Sequence, residues 1–216
     1  MPKISDERRA ERREQILTAA WRCFQREGLH ATTMDHIIAA SGLSAGAVYS
    51  YFPSKEDLIV AAVTTSLSGI RGLLDPLLRR DPLPSPPRLL EEMTTAIERF
   101  SARDGFDLKR LALLGWSEAQ RNERLRATMV GFYSAFRTQL AEACVRWAKS
   151  EEISRTLEPD EAAKALLALI LGFVVQSALL GDVEPAALAR GAAGLAPASR
   201  PAPASKHRAG RPKALR

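Results

Sequence analysis

Little in this 216-residue chain is suited to covalent chemistry. It has three histidines, His30, His36 and His207, and two cysteines, Cys23 and Cys144. No histidine stands at metal-ligand spacing or beside a nucleophile motif, and no glycine-rich loop is placed to cradle phosphates. An enzyme is therefore not expected, nor a bound metal or cofactor. Both cysteines fall in apolar helical series and read as small buried residues, so no disulfide framework is expected. Strand-like alternation is missing throughout, which argues against a sheet protein. The opening MPKISDERRAERRE is charged and lacks an apolar centre, so no secretory signal is expected. With 46% hydrophobic residues and a mean hydropathy of -0.14, the composition fits a small cytoplasmic protein with a sizeable core.

The charge is unevenly placed. The chain carries a net +6. The stretch from Pro197 onward holds Arg200, Lys206, Arg208, Arg211, Lys213 and Arg216 and no acid, so residues 1–196 are neutral in sum. This tail is rich in Pro and Ala and cannot bury enough surface to fold alone. It reads either as a tether or, through Gly210-Arg211-Pro212-Lys213, as something similar to an AT-hook core, although Ala209 stands where an arginine is usual. Either way its cations can add salt-dependent affinity for DNA. Arg8, Arg9, Arg12 and Arg13 form a second cluster, softened by Glu7, Glu11 and Glu14.

What is present is a dense run of helix punctuation between Thr32 and Leu58. Ile16, Leu17, Ala20, Trp21 and Phe24 repeat at helical spacing, and Gly28 follows as a C-cap. Thr33 stands at an N-cap before MDHIIAAS, with Asp35 in the first turn. Gly42 ends that helix, Ser44 caps the next, and Pro53 stops it. Ser54 opens a fourth helix, with Asp57 as an approximate capping box. Two helices joined by a short turn containing Gly make a helix-turn-helix. Ile37, Ile38, Leu43, Val48 and Phe52 are spaced to face inward.

The segments ILTAAWRCFQREGLHATTM, SGLS and GAVYSYFPSKEDL, in that order over about residues 12 to 60, resemble the tetracycline-repressor (TetR) family of bacterial regulators. The resemblance implies double-stranded DNA as partner, with the third helix in the major groove. Tyr49, Tyr51 and Lys55 would touch phosphates, and Thr33 the DNA backbone. Ser44, Ala45, Gly46, Ala47 and Ser50 would face bases. Lysine and tyrosine do donate to phosphate oxygens, and helix N-termini attract anions. Tyr49 or Tyr51 could instead be core aromatics, Lys55 a solvated first-turn residue and His36 a surface residue. Many relatives carry Lys and Thr where this chain has Ala45 and Ala47. With no Arg, Asn or Gln on the third helix, no bidentate base contact is available there. The four N-terminal arginines resemble the basic arm that family members lay in the minor groove; a solvated helix start is the other reading.

The remainder reads as all-helical: a fourth helix over 55–79, the proline-rich DPLPSPP, then helices at about 87–103, 107–119, 122–150, 159–181 and 184–194. The 122–150 helix carries an apolar stripe. Trp116, Gln120, Phe132, Tyr133 and Phe136 either pack the core or line a cavity for a small organic ligand. The segment 162–181 approaches membrane-span length, but Lys164 and Gln176 interrupt it, so a buried helix is expected and no membrane. The resemblance implies a homodimer through helices 159–181 and 184–194, with Ala165, Ala168, Gly172 and Ala178 permitting close approach. It also implies that a ligand tilts the fourth helix; the proline-rich loop is a place where movement could occur.

The expected architecture is thus all-α: a helix-turn-helix domain (1–56), a helical ligand-binding and dimerisation domain (57–195) and a basic tail (196–216). The expected function is a ligand-responsive regulator, a repressor that binds a near-palindromic operator as a homodimer. Alternatives are an activator, or a DNA-packaging protein with little sequence preference.

Overall fold

The computed structural model describes residues 6–101 and 108–195, so the basic tail and its Gly210–Lys213 motif lie outside the described residues. The described residues fold into nine helices and no strand. They are α1 (Asp6–Ala31), α2 (Met34–Ser41), α3 (Ala45–Tyr51), α4 (Lys55–Leu78), α5 (Pro86–Ser101), α6 (Leu108–Glu118), α7 (Glu123–Lys149), α8 (Pro159–Leu179) and α9 (Pro185–Leu195).

The caps fall where the punctuation predicts. Thr33, Ser44 and Ser54 each accept a hydrogen bond from a backbone amide of the turn they open, those of His36, Ala47 and Asp57. The Ser54 hydroxyl also donates to Asp57 Oδ2 at 2.7 Å. Gly42 takes φ 67°, the left-handed conformation a side chain disfavours, and so turns α2 into α3. Gly28, at φ 84° and ψ 166°, breaks the regular part of α1 three residues before its assigned end. Arg8, Arg9, Arg12 and Arg13 lie on α1 itself, in its first two turns.

The apolar residues gather in two clusters that meet along α4. The first joins Ile16, Ala20, Trp21 and Phe24 of α1 to Ile37, Val48, Phe52 and the Leu58–Leu67 part of α4, and extends to Leu111, Leu125 and Met129. The second joins Leu74 and Leu78 of α4 to α5, to Phe136–Trp147 of α7 and to α8. Burying each such large side chain stabilises by about 1.5–3 kcal/mol. α4 thus belongs to both cores. The connection from α4 to α5 is tied down: Arg146 donates to the carbonyls of Leu78 and Arg80, and Trp147 Nε1 donates to the Pro84 carbonyl at 2.8 Å.

α4 and α8 are each long and apolar enough to cross a membrane by length and composition. Much of the apolar surface of α4 goes into the two cores. α8 packs on α7 but leaves Leu179 at its end, and Leu180 just past it, 68% and 65% exposed.

Candidate nucleic-acid interface and interior cavity

The crossing of α2 and α3 is set from below. Ile37 and Val48 are fully buried, and Ile38 and Leu43 pack against the same core. Gln15 Nε2 of α1 donates to the Ser41 carbonyl at 2.8 Å, and the Ser41 hydroxyl accepts from the Leu43 amide. The Arg13 guanidinium lies 5.4 Å from the Phe52 ring centroid. A rigid α1 therefore presents the turn and α3 outward.

On the outer face of α3, Ser44, Ala45, Gly46, Tyr49 and Ser50 are exposed and Ala47 is half-buried. Tyr49 is 45% exposed, with its ring available to a partner. Tyr51 is half-buried and packs against the core. Ser44 and Ser50 use their hydroxyls on the helix: Ser44 accepts from the Ala47 amide, and Ser50 donates to the Ala47 carbonyl at 2.6 Å. Thr33 is exposed at the start of α2. Lys55, at the start of α4, is half-buried. Its ammonium donates to the carbonyls of His30 and Thr32 at 3.1 and 2.9 Å, closing the end of α1. Those carbonyls are orphaned where Gly28 breaks the helix, and a cation satisfies them well. On α2, His36 Nδ1 lies 2.6 Å from Glu27 Oε2 of α1. The hydrogen bond from Arg26, aided by His36, holds the Glu27 carboxyl below its ordinary range.

Behind this head lies an apolar cavity of about 70 Å³. Its walls come from Trp21 of α1, the Val63–Leu74 stretch of α4, Ile97 of α5, Leu111–Trp116 of α6, Met129–Phe136 of α7 and Leu167–Val174 of α8. Of the residues singled out from sequence, Trp116, Phe132, Tyr133 and Phe136 line it. Gln120 does not: it sits past the end of α6, exposed, in the turn that redirects the chain into α7. Trp116 Nε1 donates to Tyr133 Oη at 2.8 Å, and Phe132 meets Tyr133 edge-on. Burial pushes the Tyr133 phenol up, and the Trp116 hydrogen bond only partly offsets this. Trp21, Ser66 and Lys109 are wall residues that sequence reasoning missed. They reach the cavity from three different helices, and no spacing within one helix signals that.

Two polar contacts tie the head to the helices behind it. Arg124 of α7 donates to Asp57 of α4 at 2.6 Å, and His30 Nε2 lies 3.5 Å from Glu118 Oε2 of α6. The Ser54 and Arg124 hydrogen bonds hold the Asp57 carboxyl below its ordinary range.

A capped helix-turn-helix held by a rigid first helix, with an apolar cavity behind it, defines a DNA-binding transcriptional regulator. Residues 16–62 match the family described as bacterial regulatory proteins, tetR family, and residues 90–195 match the BetI-type transcriptional repressor C-terminal family. The chain belongs to the TetR family. It is 29% identical to the uncharacterised HTH-type regulator YfiR of Bacillus subtilis, over 86% of this chain and 88% of that protein. It is 33% identical to the HTH-type transcriptional regulator BetI of Rhizobium meliloti, over 65% of this chain and 66% of that protein. Among solved structures, Salmonella enterica GusR is similar, with a TM-score of 0.70 and 26% identity over 90% of this chain and 98% of that chain.

Proposed function

We infer that this regulator is a cytoplasmic homodimeric repressor, released from a near-palindromic operator when a small organic molecule enters its cavity. The observation that carries this reading is the placement of the cavity. Its walls include Trp21 of α1 and the middle of α4, the helices that hold the reading head. At about 70 Å³ it is small beside the roughly 300–1,000 Å³ of typical ligand pockets. A ligand must therefore part the walls, and the α4 wall runs directly into the head. Release requires only that the ligand bind the spread state better, by a coupling of about 1–3 kcal/mol.

A homodimer places two α3 helices in successive major grooves, about one helical turn apart, which calls for a palindromic site. The exposed apolar face of α8 is the surface for the second copy, so no membrane partner is needed to account for it. On DNA, Tyr49 and Thr33 would contact phosphates. Ala45, Gly46 and Ala47 would approach thymine methyls, with DNA shape supplying further selectivity.

Selection of bound genomic fragments followed by footprinting tests this reading. The expected result is one short protected palindrome with both half-sites on one face of the duplex. Protection spread evenly along DNA would favour a packaging protein instead, and transcription that rises with operator occupancy would favour an activator.

A further inference from the structure

Two hydroxyls on the cavity wall have protons that no group among the described residues accepts. Ser66 of α4 is 7% exposed and lines the cavity. Buried serines on helices commonly donate to the carbonyl one turn back. Thr64, two residues earlier, does so with Val60 at 2.7 Å. Ser66 makes no such bond, and its hydroxyl has no partner among the described residues. Tyr133 also lines the cavity, and its Oη accepts from Trp116, which orients the phenol and leaves its proton to donate. Both groups therefore stand ready for an acceptor that the protein lacks.

We propose that the cavity's ligand is an apolar molecule bearing a hydrogen-bond-accepting oxygen of the carbonyl type, received by the hydroxyls of Ser66 and Tyr133. This rests on the ligand-release reading above and sharpens it. Ser66 lies on α4, so the polar end of the ligand grips the helix that leads to the reading head. Tyr133 lies on α7, so the ligand's oxygen would be held by groups of two helices, α4 and α7. The rest of the wall supplies shape and apolar contact: Trp21, Leu67, Trp116, Phe132 and Ile170 among others.

The test uses the full chain and three probes of one size: acetophenone, its isostere α-methylstyrene, in which a methylene replaces the carbonyl oxygen, and the phenyltrimethylammonium cation. Binding is followed by ligand-observed NMR at millimolar concentration for the wild type, Ser66→Ala and Tyr133→Phe. Circular dichroism melts that superpose on the wild type show that the variants are folded. Wild type is expected to prefer acetophenone over α-methylstyrene by about three- to tenfold, the worth of one or two net hydrogen bonds. Each variant should bring that ratio towards one without weakening α-methylstyrene. An equal affinity of wild type for the two, or a preference that survives both substitutions, overturns the hydroxyl subsite and leaves the cavity reading standing. Tightest binding of the cation would identify an aromatic cage and overturn the subsite as well. If none of the three binds, the ligand-release reading falls, and this proposal with it.

Discussion

Position 55 holds a lysine spent on the protein before any DNA arrives. Its ammonium closes the carbonyls of His30 and Thr32, so a Lys55→Ala variant is expected to lose stability first. The loss should be about 1 kcal/mol, as a lowered midpoint in chemical denaturation. Tyr49 is the opposite case. It is exposed, makes no hydrogen bond within the described residues, and adds little to the core. Tyr49→Ala should leave the melt unchanged and weaken binding to all DNA sequences alike, as measured by fluorescence anisotropy on matched and scrambled sites. A loss confined to one base position would show that the tyrosine reads bases. The sequence made the type of each residue visible but not its commitment. Lys55 becomes a cap because Gly28 breaks α1 and leaves carbonyls within its reach, and that proximity arises only in the fold.

Helices were legible because their ends are marked. Thr33, Ser44, Ser54, Gly42 and Pro53 bound short elements whose apolar residues share one face, and each marker acts through its own backbone neighbourhood. Packing between helices carries no such marker, as two glycines of α4 show. A methyl group at Gly69 would meet the Phe100 ring at 2.6 Å, whereas one at Gly72 would meet nothing within 4 Å. Alanine at Gly72 should stabilise the chain by about 0.5–1 kcal/mol through helix propensity alone. At Gly69 the same gain is set against overpacking of about 1–3 kcal/mol, so the melting temperature should fall. Paired denaturation curves decide the matter, and a rise at both positions would show that Phe100 yields freely. The tie between α4 and α7 has its own signature. Because Asp57 titrates below the usual carboxylate range, its bond to Arg124 contributes fully above the unfolded pKa of about 3.9. The contribution disappears as pH falls through the lower folded value. Wild type and Arg124→Ala should therefore differ in melting temperature at neutral pH and converge under acid.

At the scale of the whole molecule, the sequence showed the apolar excess of α8 without showing where it points. The fold resolves part of it: Ile170, Phe173 and Val174 enter the second core, and Leu167 and Leu171 reach the cavity. Ala165, Ala168, Gln176 and Leu179 remain outward at helical spacing. The cavity wall and the proposed dimer face are thus two sides of one helix, so a ligand that displaces Leu167 or Ile170 also bears on the partner. Gly172 stands between the two sides, and it permits a clean test. A Cβ there meets only Gln176 Nε2, at 3.9 Å, so a side chain can leave the helix at that point without a clash at its first carbon. Gly172→Arg should keep the helical spectrum and the melt of the separate protomer while placing a charge in an apolar face, which costs far more across an interface than in water. Sedimentation should then report monomers. Affinity for a palindromic operator should collapse to that of one half-site, because two heads no longer share one binding event. A variant that sediments as a dimer and binds the full site as tightly as wild type would move the dimer face away from α8.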